Sequence, residues 1–93
     1  MYYFIAQIKI KDTEEYEKYL EKTAEIFQRY QGEYLSVDDA PVIIEGEWDY
    51  TRVVVIRFSN KKDFEDWYYS DEYQEILKFR LSAADCNSIL ISS

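Results

Sequence analysis

Five side chains in this sequence combine types that can hold or transform a small polar molecule: Arg80, Glu45, Tyr73, Trp67 and Tyr19. A guanidinium presents its N–H donors in a planar fork that matches a carboxylate. Arg80, grouped with Trp67, Tyr73 and Glu45, could therefore clamp an organic acid bidentately. The same residue could instead pair with Glu45, or with carbonyls at a helix end, and fasten the second helix to the sheet. Glu45 follows the apolar run Val42-Ile43-Ile44 and precedes Gly46. Burial there would raise its pKa and make it a general acid or base, whereas a neighbouring Arg80 or Arg52 would hold it as a paired carboxylate. Tyr19 could send its hydroxyl into a cleft or pack its ring. Trp67, at helical spacing from Phe64, reads as core.

The chain has no histidine. That removes Ser-His-Asp and Cys-His nucleophiles, His-ligated zinc and a haem with a proximal histidine. Acid–base work would fall to carboxylates, Tyr or Lys. Ser70 has no basic partner near it and reads as a helix cap. Cys86, the one cysteine, reads as a buried inert thiol that cannot form an internal disulfide. Asp38-Asp39 reads as a turn, since two adjacent carboxylates make a weak metal signal. No cofactor and no metal site is expected.

Ninety-three residues make one domain, 1–93. A hydrophobic content of 47% is enough for a packed core despite 32% charged residues. The formal charge of −8 repels phosphate backbones and anionic headgroups alike, so neither nucleic acid nor a membrane surface is an expected partner. The N-terminus lacks a basic segment and a cleavage-like site, and no stretch reaches the ~20 apolar residues of a membrane span. The cytoplasm is the expected location.

The positioning elements follow from periodicity. Tyr2, Phe4, Ala6, Ile8 and Ile10 alternate with Tyr3, Ile5, Gln7 and Lys9, giving a strand with one wholly apolar face. Asp12, with Glu15 three residues on, starts a helix whose stripe is Tyr16, Leu20, Thr23, Ala24, Phe27 and Tyr30; Tyr19 lies off it, and Gly32 is placed as the C-cap. Glu33 to Asp38 predicts a short strand that Pro41 interrupts and Val42 to Glu45 resumes. Thr51 to Phe58 predicts a strand covered on both faces, with Val53, Val55 and Arg57 opposite Val54, Ile56 and Phe58. Asn60 caps a second helix that breaks at Ser70, and Asn87 to Ser92 forms the last strand. The order β-α-β-β-α-β predicts an α+β ferredoxin-like fold with a four-stranded antiparallel sheet and helices on one face. The other face, carrying Tyr3 and Ile5, needs a cover, and a second copy of the chain is the simplest one.

Asp12 with Tyr16 and Tyr19, Tyr30-Gln31-Gly32, Glu45-Gly46-Glu47-Trp48, Arg52, and Trp67-Tyr68-Tyr69-Ser70-Asp71-Glu72-Tyr73 ahead of Arg80 occur in one order. Over nearly the whole chain this resembles the domain of unknown function 1330 family of the dimeric α+β barrel superfamily. The resemblance implies a ferredoxin-like protomer paired sheet to sheet, with a cleft between sheet and helices, and implies no established reaction. Superfamily relatives span cofactor-free monooxygenases, haem-degrading enzymes, isomerases and decarboxylases, and fold kinship does not choose among them. The family pattern of two glycines and a basic residue after the first helix is replaced here by Gln31, Gly32 and Glu33. If the basic residue binds an anion, Glu33 would weaken that preference.

Three functions are consistent with these residues. The first is a small-molecule binder or enzyme with a pocket lined by Tyr19, Glu45, Trp67, Tyr73 and Arg80. The second is a non-catalytic dimeric module that regulates another protein through an acidic, tyrosine-rich surface. The third, by analogy alone, is a cofactor-free monooxygenase.

Overall fold

A computed structural model describes residues 1–93. The elements run β1 (Tyr2–Ile10), α1 (Thr13–Phe27), β2 (Gly32–Asp38), β3 (Arg52–Phe58), α2 (Lys61–Tyr68), α3 (Asp71–Ala83) and β4 (Ala84–Ser92). The sheet order is β2-β3-β1-β4 with every neighbouring pair antiparallel. This is the ferredoxin-like fold, with the second helical segment split in two. No helix is long and apolar enough to cross a membrane.

Alternation in the central strands decides what faces the helices. Phe4, Ala6 and Ile8 of β1 and Ile56 and Phe58 of β3 are buried beneath them. Phe27, Phe64, Trp67 and Tyr73 complete that layer from the helical side. The opposite face carries Tyr3, Ile5, Val53, Val55, Ile89 and Ile91. Ile89 is 57% exposed and Ile91 44%. The expectation that both faces of β3 are covered is therefore met on one side only within the protomer.

Each helix begins where a polar side chain satisfies a free N–H. Asp12 accepts from Glu15 N, Asn60 from Asp63 N and Ser70 from Tyr73 N. Backbone bonds from Lys11 N and Asp12 N to Ala83 O tie the start of α1 to the end of α3.

Four expectations are corrected. Helix α1 ends at Phe27, and Gly32 is the first residue of β2, not a C-cap. Its requirement is space: a Cβ there would lie 2.5 Å from Phe27 Cζ and 2.7 Å from Phe58 Cε1. Both rings are packed in the core, so Gly32→Ala should cost about 1–3 kcal/mol by overpacking, measurable by urea unfolding. The buried stripe of α1 is Tyr16, Tyr19, Thr23, Ile26 and Phe27, and Leu20 is 38% exposed. The stripe is turned because α1 packs against α3 as well as the sheet. Val42 to Glu45 is not a strand: β2 already occupies that edge of β3, and the segment after Pro41 pairs with no strand of the sheet. Strand β4 starts at Ala84, three residues earlier than expected, because it pairs with β1 back to Ile10.

Candidate anion-binding cavity

Between the sheet and the helices lies a cavity of about 190 Å³. Its floor is Phe4, Ala6 and Ile8 of β1 with Arg52, Val54 and Ile56 of β3. Tyr16, Tyr19 and Thr23 of α1 line one side, Trp67 of α2 with Tyr73 and Arg80 of α3 the other, and Tyr34 of β2 the edge. Four of the five side chains singled out in the sequence meet here: Arg80, Tyr73, Trp67 and Tyr19.

Local structure explains how the helical residues arrive together. Ser70 donates to Trp67 O at 2.8 Å and accepts from Tyr73 N at 3.1 Å, so one hydroxyl ends α2 and begins α3. Gln74 Nε2 closes the same corner on Tyr68 O. That corner holds the Trp67 and Tyr73 rings 4.4 Å apart, and the Tyr73 hydroxyl meets that of Tyr19 at 2.7 Å. On the sheet side, Thr51 N donates to Ile8 O and Thr51 Oγ1 accepts from Ile10 N, which fixes Arg52 opposite Ile8.

Arg80 is 3% exposed, with its Cζ 5.6 Å from the centre of the Tyr19 ring. Its Nε and Nη1 have no hydrogen-bond partner, and it makes no salt bridge. Burial acts to lower its pKa and the adjoining Tyr73 and Tyr19 hydroxyls act to raise it; the guanidinium stays charged. Six buried side-chain polar atoms lack a partner, and all but Trp48 Nε1 belong to residues lining this cavity: Thr23, Arg52, Trp67 and Arg80. Natively buried polar groups are nearly always satisfied, so such a concentration marks where water or a ligand belongs. The only charged residues in the lining are Arg52 and Arg80, in a protein of net charge −8.

Glu45 is not part of this site. It is exposed, in the segment between β2 and β3, where it lines a separate surface groove with Trp48, Ile43 and Val53. It forms neither the pair with Arg80 nor the buried acid that its apolar neighbours suggested. Val42 is 83% exposed and Ile44 85%, so the run that implied burial is itself on the surface. Nor does Glu33 oppose an anion in the cavity. It lies on the other sheet face, where Arg57 Nη2 donates to both its carboxylate oxygens at 2.9 and 3.0 Å. Asp38 accepts from Ala40 N in a turn, as expected, and Asp39 pairs with Arg52 at 3.0 Å.

The cavity residues that sequence reasoning missed are Arg52, Tyr16, Thr23 and Tyr34 as lining groups. Tyr16 was visible as a stripe residue. Arg52 had a signal in its place at the start of a β-branched strand, where a charged residue on the core-facing side calls for a reason.

The buried phenols set a pH limit. Burial pushes the Tyr16 hydroxyl up to about 12 and raises that of Tyr73 further. An unfolded phenol ionises near 10, so above that pH the unfolded chain releases protons that the folded chain keeps. Stability contributed by Tyr16 is intact below pH 10 and falls through pH 12, by about 2–3 kcal/mol. Urea unfolding between pH 8 and 11.5 should show this decline, and Tyr16→Phe should make it shallower, leaving the share that belongs to Tyr73 and Tyr34.

The model of the domain of unknown function 1330 family (DUF1330) matches residues 1–93. Among curated proteins, none matches the sequence. A protein of unknown function from Rhodopseudomonas palustris superposes with a TM-score of 0.80 at 17% identity, over 99% of this chain and 81% of that one. SnoaB, a cofactor-independent oxygenase from Streptomyces nogalater, superposes at 0.70 with 14% identity, over 99% and 91%. A dimeric ferredoxin-like protein of unknown function from Thermobifida fusca gives 0.69 at 13% identity, over 99% and 90%. At these identities the likeness is one of fold.

Proposed function

This chain belongs to the domain of unknown function 1330 family, and we propose that it binds a small organic anion with an apolar body, a carboxylate above all, in the cavity between sheet and helices. The observation that carries this reading is Arg80, a buried cation with two unpartnered donors and no counter-charge. Water can satisfy such donors but cannot neutralise the charge; a carboxylate does both, through a bidentate pair. The Tyr19–Tyr73 hydroxyl pair adds a donor beside it, and the aromatic and aliphatic walls take up the rest of the ligand. The volume, about 190 Å³, suits a molecule smaller than the drug-sized ligands of larger pockets.

A thermal-shift panel of small carboxylates, phenols, aldehydes and quinones tests this. A ligand at ~100 times its Kd adds about 2.7 kcal/mol, raising the melting temperature of a domain this size by more than about 10 °C. A carboxylate hit that Arg80→Met abolishes is the expected result. A flat panel would favour a non-catalytic protein-interaction module.

The protein is further proposed to act as a homodimer joined through the open sheet face. Exposed Ile89 and Ile91 beside Val53 and Val55 support this, as does the dimeric Thermobifida neighbour. Light scattering at micromolar concentration should return twice the 11.3 kDa chain mass; a monomer would sink it.

A second reading, oxygenation of a phenol-type substrate without a cofactor, is favoured by the same donors, which would hold a phenolate as well as a carboxylate, and by the SnoaB neighbour. Oxygen uptake with a panel of quinols and catechols tests it, and no uptake would dismiss it.

A further inference from the structure

The proposed anion site has a second cation, and we infer that the ligand is a small dianion: a molecule with an apolar middle and an acidic group at each end, one held by Arg80 and the other by Arg52. This inference rests on the reading of Arg80 above and adds to it. Arg52 lines the same cavity, with its side chain 18% exposed against 3% for Arg80, so it stands nearer the rim. Its Nε is buried and has no partner. Each guanidinium lies near a ring of α1. Arg52 Cζ is 5.9 Å from the Tyr16 ring centre, Arg80 Cζ is 5.6 Å from that of Tyr19, and the rings are 5.7 Å apart. Each cation thus lies against one ring of an adjacent tyrosine pair in the lining of one cavity, so that a single short molecule in that cavity has both within its surroundings.

Charge makes the argument sharper. Two like charges facing one apolar cavity repel each other, and a monoanion at Arg80 would leave Arg52 with Asp39 alone. That pair is a single contact to Nη1, from a carboxylate that is 66% exposed and hence well screened. A second ligand carboxylate would reach the free Nε in a much drier place. On a protein of net charge −8, an extra negative charge on a ligand should otherwise weaken binding.

The test is calorimetric titration of the full chain with matched pairs, hexanoate against adipate and phenylacetate against 4-carboxyphenylacetate. At least one diacid is expected to bind about tenfold more tightly than its monoacid, the worth of one charge-assisted hydrogen bond. Arg52→Gln should erase that advantage, bringing each diacid to within about threefold of its own monoacid. Should Arg52→Gln fail to fold, Asp39→Asn serves instead, since freeing Arg52 from its loop partner should tighten the diacid and not the monoacid. Monoacids that bind through Arg80 with no gain from the second carboxylate, or a gain that survives Arg52→Gln, would overturn the dianion and leave the anion site standing. Binding of none of the four acids, or binding indifferent to Arg80→Met, would overturn both.

Discussion

Replacing Arg80 with methionine should make the ligand-free protein more stable, by about 1–3 kcal/mol in urea unfolding, while removing its ability to bind a carboxylate. Folding takes the guanidinium out of water to 3% exposure without supplying a counter-ion or partners for Nε and Nη1. A buried charge in that condition costs several kcal/mol, and an apolar residue of similar length often does better by about 1–4 kcal/mol. Methionine is unbranched and adaptable enough to fill the guanidinium's space. Stacking on Tyr19 returns part of the cost, about 0.5–2 kcal/mol, which is why the expected gain is modest. A variant that is more stable and blind to ligand identifies a residue kept for binding. If Arg80→Met is instead destabilised by several kcal/mol, the guanidinium is a structural member and the binding proposal loses its main support.

Trp67→Ala should have the largest effect on folding. The indole is 1% exposed and packs edge-on against Phe4 and Phe27, stacks on Phe58 at 5.7 Å, and meets Tyr73 at 4.4 Å. It joins rings from β1, β3, α1 and α3, so its removal leaves a hole with rigid walls. Truncating a buried Trp costs about 3–5 kcal/mol, a large share of the 5–15 kcal/mol typical of a whole domain. The melting temperature should fall by more than about 12 °C, with loss of the aromatic circular dichroism from this cluster. A drop of under about 1 kcal/mol would mean that the ring layer closes over the gap.

How far the sequence discloses this arrangement depends on whether a feature is local. The alternation of β1, the caps Asp12, Asn60 and Ser70 and the break between α2 and α3 are each written within a few residues, and each stands in the structure where periodicity puts it. The phase of α1 is different. Tyr19 and Leu20 are adjacent, each could close the stripe, and only the packing of α3 decides for Tyr19. Gly32 follows a helix end as a C-cap glycine would, yet its requirement comes from two rings, Phe27 and Phe58, of which one is far off in sequence. Glu45 shows the converse error. An apolar run implies burial only if something covers it, and Val42-Ile43-Ile44 lies uncovered within the protomer. The meeting of Arg80 with Trp67 and Tyr73 is legible because the corner at Ser70 holds two of them and Arg80 lies two turns along α3 from Tyr73. Arg52 stands out locally as a charge on the core-facing side of β3, but nothing near it in sequence says that it shares a cavity with Arg80.

The Tyr19–Tyr73 hydroxyl contact has a consequence for how the cavity sorts its contents. Two hydroxyls at 2.7 Å share one proton between them, and either can be the donor. If Tyr73 donates to Tyr19, the outward proton belongs to Tyr19; reverse both and it belongs to Tyr73, with no change of heavy-atom position. The pair can thus turn its polarity round to suit a carbonyl at one hydroxyl or at the other, at the cost of rotating two O–H bonds. Arg80 has no such freedom, since its guanidinium can only donate. On the proposed reading, a site built from one fixed cation and one reversible dipole would be strict about charge and permissive about where the neighbouring oxygen sits. Related acids that differ in the position of a keto or hydroxyl group should therefore be admitted on nearly equal terms.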